Sequence, residues 1–241
     1  MIAGGGGIGE SKLTTDRTDI IDLNDAKPHF SPGPDLEKPV RYPNMVITPD
    51  DRVVITGGST GYRGENDSNV LLCHIYDPDS GALAKMADPT VGRDYHSEAL
   101  LLPDGRVATF GSDPLYDDQQ NTKLGHFEQR MEIFTPPALH KNGANRPVLQ
   151  DGSQVLDGSR RATYRTDHPE RVTKARLMRP SAVTHTTDVE QRSIELGLTR
   201  DAHSVTVEVP KDPALVPPGW YMLFVTDADG TPSEAKWIQV K

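Results

Sequence analysis

Met45-Val46-Ile47-Thr48-Pro49-Asp50-Asp51-Arg52-Val53-Val54-Ile55-Thr56-Gly57-Gly58 returns 54 residues later as Ala99-Leu100-Leu101-Leu102-Pro103-Asp104-Gly105-Arg106-Val107-Ala108-Thr109-Phe110-Gly111. Both stretches read as a buried strand, a Pro-Asp turn and a second buried strand that ends in glycine. Proline presets φ and Gly105 accepts a positive φ, which together suit a tight hairpin. A third element recurs beside the pair, less tidily: Ile20-Ile21-Asp22-Leu23, His74-Ile75-Tyr76-Asp77-Pro78 and Met131-Glu132-Ile133-Phe134-Thr135-Pro136-Pro137. These segments fit the outer strands of successive sheets.

A period near 50 with a glycine-ended second strand is the signature of a kelch β-propeller blade. One more period before Gly57 lies Ala3, beside Gly4 to Gly7, so the chain opens at the glycine end of an earlier copy. The repeats run to about residue 140, which makes about 2.6 blades, whereas propellers close with four to eight. Residues 1–141 are therefore expected to form a partial kelch propeller, the C-terminal portion of a longer protein or of a split one. An ordinary antiparallel sandwich with accidental similarity is the alternative.

From Asn142 the repeat stops. Val155-Leu156, Ala162-Thr163-Tyr164, Lys174 to Met178, Ser193 to Leu198, Ser204 to Val209, Gly219 to Val225 and Ala235 to Val240 read as short strands bounded by turns. Val205, Val207 and Val209 alternate with Ser204, Thr206 and Glu208, the period of a half-buried strand. So many strands in about 100 residues describe an immunoglobulin-like sandwich over 142–241. The expected fold is all-β throughout.

Composition agrees. The 21 glycines and 20 prolines in 241 residues favour many turns over long helices. With 26 Lys+Arg against 35 Asp+Glu the net charge is −9, a poor match for a phosphate backbone, so no nucleic-acid partner is expected. No apolar run approaches the roughly 18 residues of a membrane span, and the first residues lack a signal-peptide pattern. The single cysteine, Cys73, lies in the apolar strand Asn69 to Tyr76 and reads as a buried, inert thiol. Gly4-Gly5-Gly6-Gly7-Ile8-Gly9 lacks the helix that a nucleotide-binding loop needs, and reads as blade geometry.

Two segments carry chemistry. Arg93-Asp94-Tyr95-His96-Ser97 places a phenol and an imidazole just before a blade's first strand, where both can reach one metal. Arg179-Pro180-Ser181-Ala182-Val183-Thr184-His185-Thr186-Thr187-Asp188-Val189-Glu190-Gln191-Arg192 is a polar loop between two sandwich strands, with His185 at its middle. Taken singly, Tyr95 and His96 read as packing a blade end and His185 as a solvated loop residue. The acidic run Asp113-Pro114-Leu115-Tyr116-Asp117-Asp118 reads as a solvated loop near them.

Together, in this order, the Tyr-His-Ser…Leu-Leu-Leu-Pro-Asp-Gly-Arg-Val run and the Arg-Pro-Ser-x-x-Thr-His-Thr…Gln-Arg loop resemble the galactose oxidase and glyoxal oxidase family of copper radical oxidases. Phe127 to Pro137 is similar to the bacterial secreted branch, and the resemblance covers essentially the whole chain. It implies one copper ion on the axis of a seven-bladed propeller, with a galactose-oxidase-type early-set sandwich following. It implies Tyr95 as axial ligand and base for the substrate proton, and His96 and His185 as equatorial ligands. Imidazole and phenolate suit a tetragonal Cu(II) site with one open position.

The family's remaining ligand is a tyrosine joined to a cysteine by a thioether, and this Tyr-Cys radical centre is expected upstream of the blades present here. The implied reaction oxidises a primary alcohol, aldehyde or glycan substrate with O₂ to give H₂O₂, in an extracellular or cell-envelope setting. The chain alone is then expected to be inactive without its N-terminal propeller portion. The competing expectations are an extracellular carbohydrate-binding module without copper chemistry, and a structural fragment that awaits a partner chain.

Overall fold

The computed structural model describes residues 1–9, 11, 13–116, 118, 120, 122–141 and 145–241, without the side chains of 65–67. Apart from three short 3-10 helices, the regular structure among the described residues is all strand. Three antiparallel sheets come first. Strands β1 (Ile2–Ala3), β2 (Thr18–Ile21) and β3 (Phe30–Pro32) form one, in chain order. β4 (Asn44–Ile47), β5 (Val53–Thr56), β6 (Cys73–Asp77) and β7 (Ala82–Lys85) form the second, and β8 (Glu98–Leu101), β9 (Val107–Phe110) and β10 (Glu132–Phe134) the third.

The repeated stretches are the hairpins β4–β5 and β8–β9, closed by equivalent bonds. Thr48 and Arg52 exchange a backbone bond in one turn, Leu102 and Arg106 in the other. The third recurrent segment is always the next strand over: β2 beside β1, β6 beside β5, β10 beside β9. Val46, Val54, Ile75, Ala99 and Val107 pack between the second and third sheets with Cys73. The opening glycines wrap Arg41, whose guanidinium donates to the carbonyls of Gly7 (2.8 Å), Gly9 (2.9 Å) and Ser11 (2.6 Å). A loop that turns carbonyls toward a cation is the reverse of a phosphate cradle, which presents N–H groups. Of the run Glu10-Ser11-Lys12 that follows these glycines, Glu10 and Lys12 lie outside the described residues.

The second half pairs two sheets. β11 (Val155–Leu156), β13 (Lys174–Arg179), β16 (Arg192–Glu195), β19 (Gly219–Thr226) and β20 (Lys236–Val240) form a five-stranded sheet in the order β11-β20-β19-β13-β16. β12 (Arg161–Arg165), β17 (Gly197–Arg200) and β18 (Ser204–Glu208) form the other, in the order β12-β18-β17. Alternate residues face inward: Ala162 and Tyr164 oppose Val207 and Val205, and meet Leu177, Tyr221, Leu223, Val225 and Ile238 in one core. The segment Ser193–Leu198, expected as one strand, is split. Leu196 is buried at the corner where the chain leaves one sheet for the other, its N–H bonded to Ala175 O. Between β13 and β16 a small hairpin projects, β14 (Val183–Thr184) paired with β15 (Thr187–Asp188).

Both Pro-Asp turns of the first half dock on the five-stranded sheet. Arg146 donates to the carbonyls of Asp104 (2.8 Å), Pro232 (2.7 Å) and Ser233 (2.6 Å), and Ala235 N–H to Pro103 O (2.8 Å). At the other turn Asp51 is ion-paired with Arg176 and accepts from Ser193 Oγ (2.8 Å). Gln191 serves as a strand substitute on the edge of β4, its amide accepting from Ile47 N–H and donating to Met45 O. Beneath lie Met178, Met222 and Phe224, all buried, against Ile47, Leu101 and Ala235. The expected division at 141/142 abuts residues 142–144, which lie outside the described residues.

Candidate metal centre

The glycines that end β5 and β9 let one segment approach closely from two sides. A Cβ on Gly57 would lie 2.8 Å from Arg93 Cβ, and one on Gly111 would lie 2.8 Å from His96 O. Both glycines have positive φ, 73° and 72°. Real Cβ atoms do not come so near, so any other residue would push the 93–97 segment away.

Within that segment the side chains divide. Arg93, Asp94 and Ser97 turn inward and are buried. Arg93 donates to Gly111 O (3.0 Å) and Arg130 O (2.6 Å), Asp94 Oδ1 accepts from Ser112 Oγ (2.6 Å), and Ser97 Oγ accepts from Asn44 Nδ2 (2.8 Å). Tyr95 and His96 are left to face outward. The Tyr95 ring is stacked on His96 at 4.0 Å between centroids.

His185 reaches the same place from the other half of the molecule. Thr184 pairs with Thr187, so His185 and Thr186 are the two central residues of the hairpin turn. Both have positive φ, 54° and 63°, the pattern of a type I′ turn usually filled by Asn-Gly. A β-branched residue such as Thr186 is disfavoured there, and Thr186 Oγ1 donates to His185 O (2.6 Å) in partial compensation. The turn carries the His185 ring to 4.6 Å from His96 and 5.3 Å from Tyr95. Thr186→Gly should therefore stabilise the chain, by up to about 1 kcal/mol, because a left-handed backbone costs roughly that in an L-residue. Equilibrium denaturation checks it.

Around these three rings the backbone is repeatedly left-handed: Tyr42 (φ 59°), Arg63 (48°) and His96 (60°) join His185 and Thr186. Such conformations persist only where surroundings over-determine them, and they gather at functional sites. Tyr42 meets Tyr95 edge-on at 5.4 Å, and the Arg63 guanidinium lies 5.0 Å over the Tyr95 ring. Burial raises the Tyr42 phenol above its ordinary pKa. Neither Tyr42 nor Arg63 carries any local sign of this role, since each is brought in by loop geometry. Asp113, read as solvated, is instead bonded to His96 Nδ1 (3.2 Å) and Arg63 Nη2 (2.5 Å). Asp117 of the same run lies outside the described residues.

Residues 146–240 match the family described as galactose oxidase-like, early set domain. A galactose oxidase of Gibberella zeae is 37% identical over 205 residues, 83% of this chain and 29% of its own length. The Arabidopsis thaliana protein named aldehyde oxidase GLOX1 is 29% identical over 240 residues, 91% of this chain and 38% of its own. A fungal alcohol oxidase of the AA5 family, solved in complex with copper, superposes with a TM-score of 0.83 at 26% identity, covering 99% of this chain and 50% of that one. The chain belongs to the galactose oxidase and glyoxal oxidase family. It spans 29% of the length of the galactose oxidase it matches.

Among the described residues no three His, Cys, Asp or Glu side chains converge as a metal group; the cluster instead offers two imidazoles and a phenol. Thr184 Oγ1 lies 2.9 Å from His185 Nδ1 and Asp113 engages His96 Nδ1. Each ring is thus tied to its own chain through Nδ1, which leaves Nε2 as the nitrogen available to a ligand. This donor set suits Cu(II).

Cys73 takes no part. It is buried in the core between the second and third sheets, and burial pushes its thiol up to about 12. It should resist alkylation in the folded chain and react only on denaturation, which a thiol titration with and without guanidinium would show.

Proposed function

We propose that this chain is the portion of a mononuclear copper radical oxidase that supplies Tyr95, His96 and His185 to the metal. The reaction is oxidation of a primary alcohol or aldehyde by O₂ with release of H₂O₂. The convergence of those three rings, two from the blade-like half and one from the sandwich hairpin, carries this reading. The three successive antiparallel sheets are read as parts of kelch propeller blades, residues 1–141, and 142–241 as the sandwich domain.

Copper held there would supply one-electron redox chemistry and Lewis-acid activation of the substrate oxygen. His96 and His185 act as neutral nitrogen donors oriented by Asp113 and Thr184. Tyr95 is the base, its phenolate oxygen taking the hydroxyl proton of the substrate. Its ring is confined by stacking on His96, by the edge of Tyr42 and by Arg63 over the ring. Two-electron oxidation needs a second redox group. We assign it to a Tyr-Cys pair outside these 241 residues, on an N-terminal propeller portion. A setting outside the cell or at its envelope is part of the same reading, as the family resemblance implies; among the described residues no helix is long and apolar enough to cross a membrane.

The test is to load the chain with copper and assay peroxide with primary alcohols and aldehydes. One equivalent of copper and no turnover are expected, with activity gained when the portion bearing the radical tyrosine is added. Robust oxidation by these residues alone would contradict the division of labour. Glycan binding without copper uptake, unchanged in His96→Ala and His185→Ala, would favour a binding module.

A further inference from the structure

We propose that Asp113 is a positioning residue for His96, held in place by Arg63 and Asp94; the inference rests on the copper reading above. Its backbone is clamped before its side chain acts. Asp113 N–H donates to Tyr95 O (2.7 Å) and to the buried Asp94 Oδ1 (3.2 Å), while Ser112 beside it is bonded to Asp94 through its hydroxyl. The loop after β9 is thereby tied to the segment that carries Tyr95 and His96.

The carboxylate then has two partners. Asp113 Oδ2 accepts from His96 Nδ1–H (3.2 Å) and from Arg63 Nη2 (2.5 Å). A second backbone bond, Leu115 N–H to Arg63 O (3.0 Å), holds the Arg63 segment against the same loop. Close approach there depends on Gly64, where a Cβ would fall 1.9 Å from Asp94 Oδ2. Asp113 and Arg63 are mostly shielded, with side chains 19% and 22% exposed, so their ion pair is less screened than a surface one.

A carboxylate on the far nitrogen of an imidazole fixes the tautomer, sets the ring plane and strengthens the ligating nitrogen. His96 needs such support. It is exposed and its backbone is left-handed, and although the Tyr95 and His185 rings pack against it, ring packing does not fix which nitrogen carries the proton. The bond to Arg63 keeps the same carboxylate turned outward, as an acceptor for His96 rather than as a ligand. Arg63 also covers Tyr95, so one ion pair orders both outward-facing side chains.

Copper titration of the 241-residue chain with electron paramagnetic resonance of the bound Cu(II) tests this. Asp113→Ala should weaken copper about 10- to 100-fold, the usual cost of an outer partner. It should also change the copper hyperfine splitting, with Asp113→Asn intermediate. The exposed Asp157→Asn, with the same change in net charge, should bind as wild type. If circular dichroism shows Asp113→Ala unfolded, Asp113→Asn decides. Wild-type affinity and spectrum in the folded variant would overturn the inference alone. A wild-type chain that takes no copper, or takes it undiminished in His96→Ala and His185→Ala, would overturn the copper reading and this inference with it.

Discussion

His185→Ala is expected to lower copper affinity by at least about 100-fold, more than the loss of an outer partner, because it removes one of three donors. His96→Ala should behave alike. Neither change should cost much stability. Both side chains are exposed, His185 stands at a hairpin tip, and exposed substitutions usually fall within about 0.5 kcal/mol. Calorimetric titration at neutral pH, alongside thermal melts, separates lost ligation from lost fold. Full affinity in either folded variant would mean that the ring cluster does not hold the metal.

Phe224→Ala should have the largest effect on stability, about 3–5 kcal/mol. Phe224 is completely buried on β19 and packs with Met178 and Met222 against Ile47, Leu101 and Ala235, where the two repeated hairpins meet the sandwich. The cavity would open at the seam that sets His185 against Tyr95 and His96. Copper affinity should therefore fall along with stability. Val205→Ala cuts the sandwich core on the far sheet, away from that seam, and should destabilise with less effect on copper. Chemical denaturation and copper titration of the two variants read both quantities; equal copper affinity in both would show that the seam does not organise the site.

Much of this was legible in the sequence because its signals are local. The alternation Val205, Val207, Val209 marks a half-buried strand whatever surrounds it, and a Pro-Asp turn between apolar runs closes a hairpin on its own. Tyr95-His96 and the His185 loop stood out as polar chemistry in strand-rich surroundings. The partners of those residues did not. Arg63 and Asp113 are fifty residues apart and meet only because Asp94 and two glycine-ended strands bring their loops together. The His185-Thr186 turn runs against local preference, since neither residue favours a positive φ. Leu196 interrupts a segment, Ser193 to Leu198, that reads as one strand, because a buried residue at a corner and one within a strand look alike in sequence.

The interface explains why one repeated turn matters twice. The Pro49-Asp50-Asp51 and Pro103-Asp104-Gly105 turns close their hairpins and also provide the docking surface for Arg176, Ser193, Arg146 and Ala235. A hairpin projecting beyond β13 and β16 then needs only a short reach to bring His185 to the first-half segment.

In the proposed oxidase Tyr95, His96 and His185 share one copper ion. Nitrogen superhyperfine structure in the electron paramagnetic resonance spectrum of the Cu(II)-loaded chain tests it most directly. Coupling to two imidazole nitrogens is predicted for wild type, falling to one in His96→Ala and in His185→Ala, with Tyr95→Phe keeping both nitrogens and altering the splitting. Two coupled nitrogens in both histidine variants would contradict the claim.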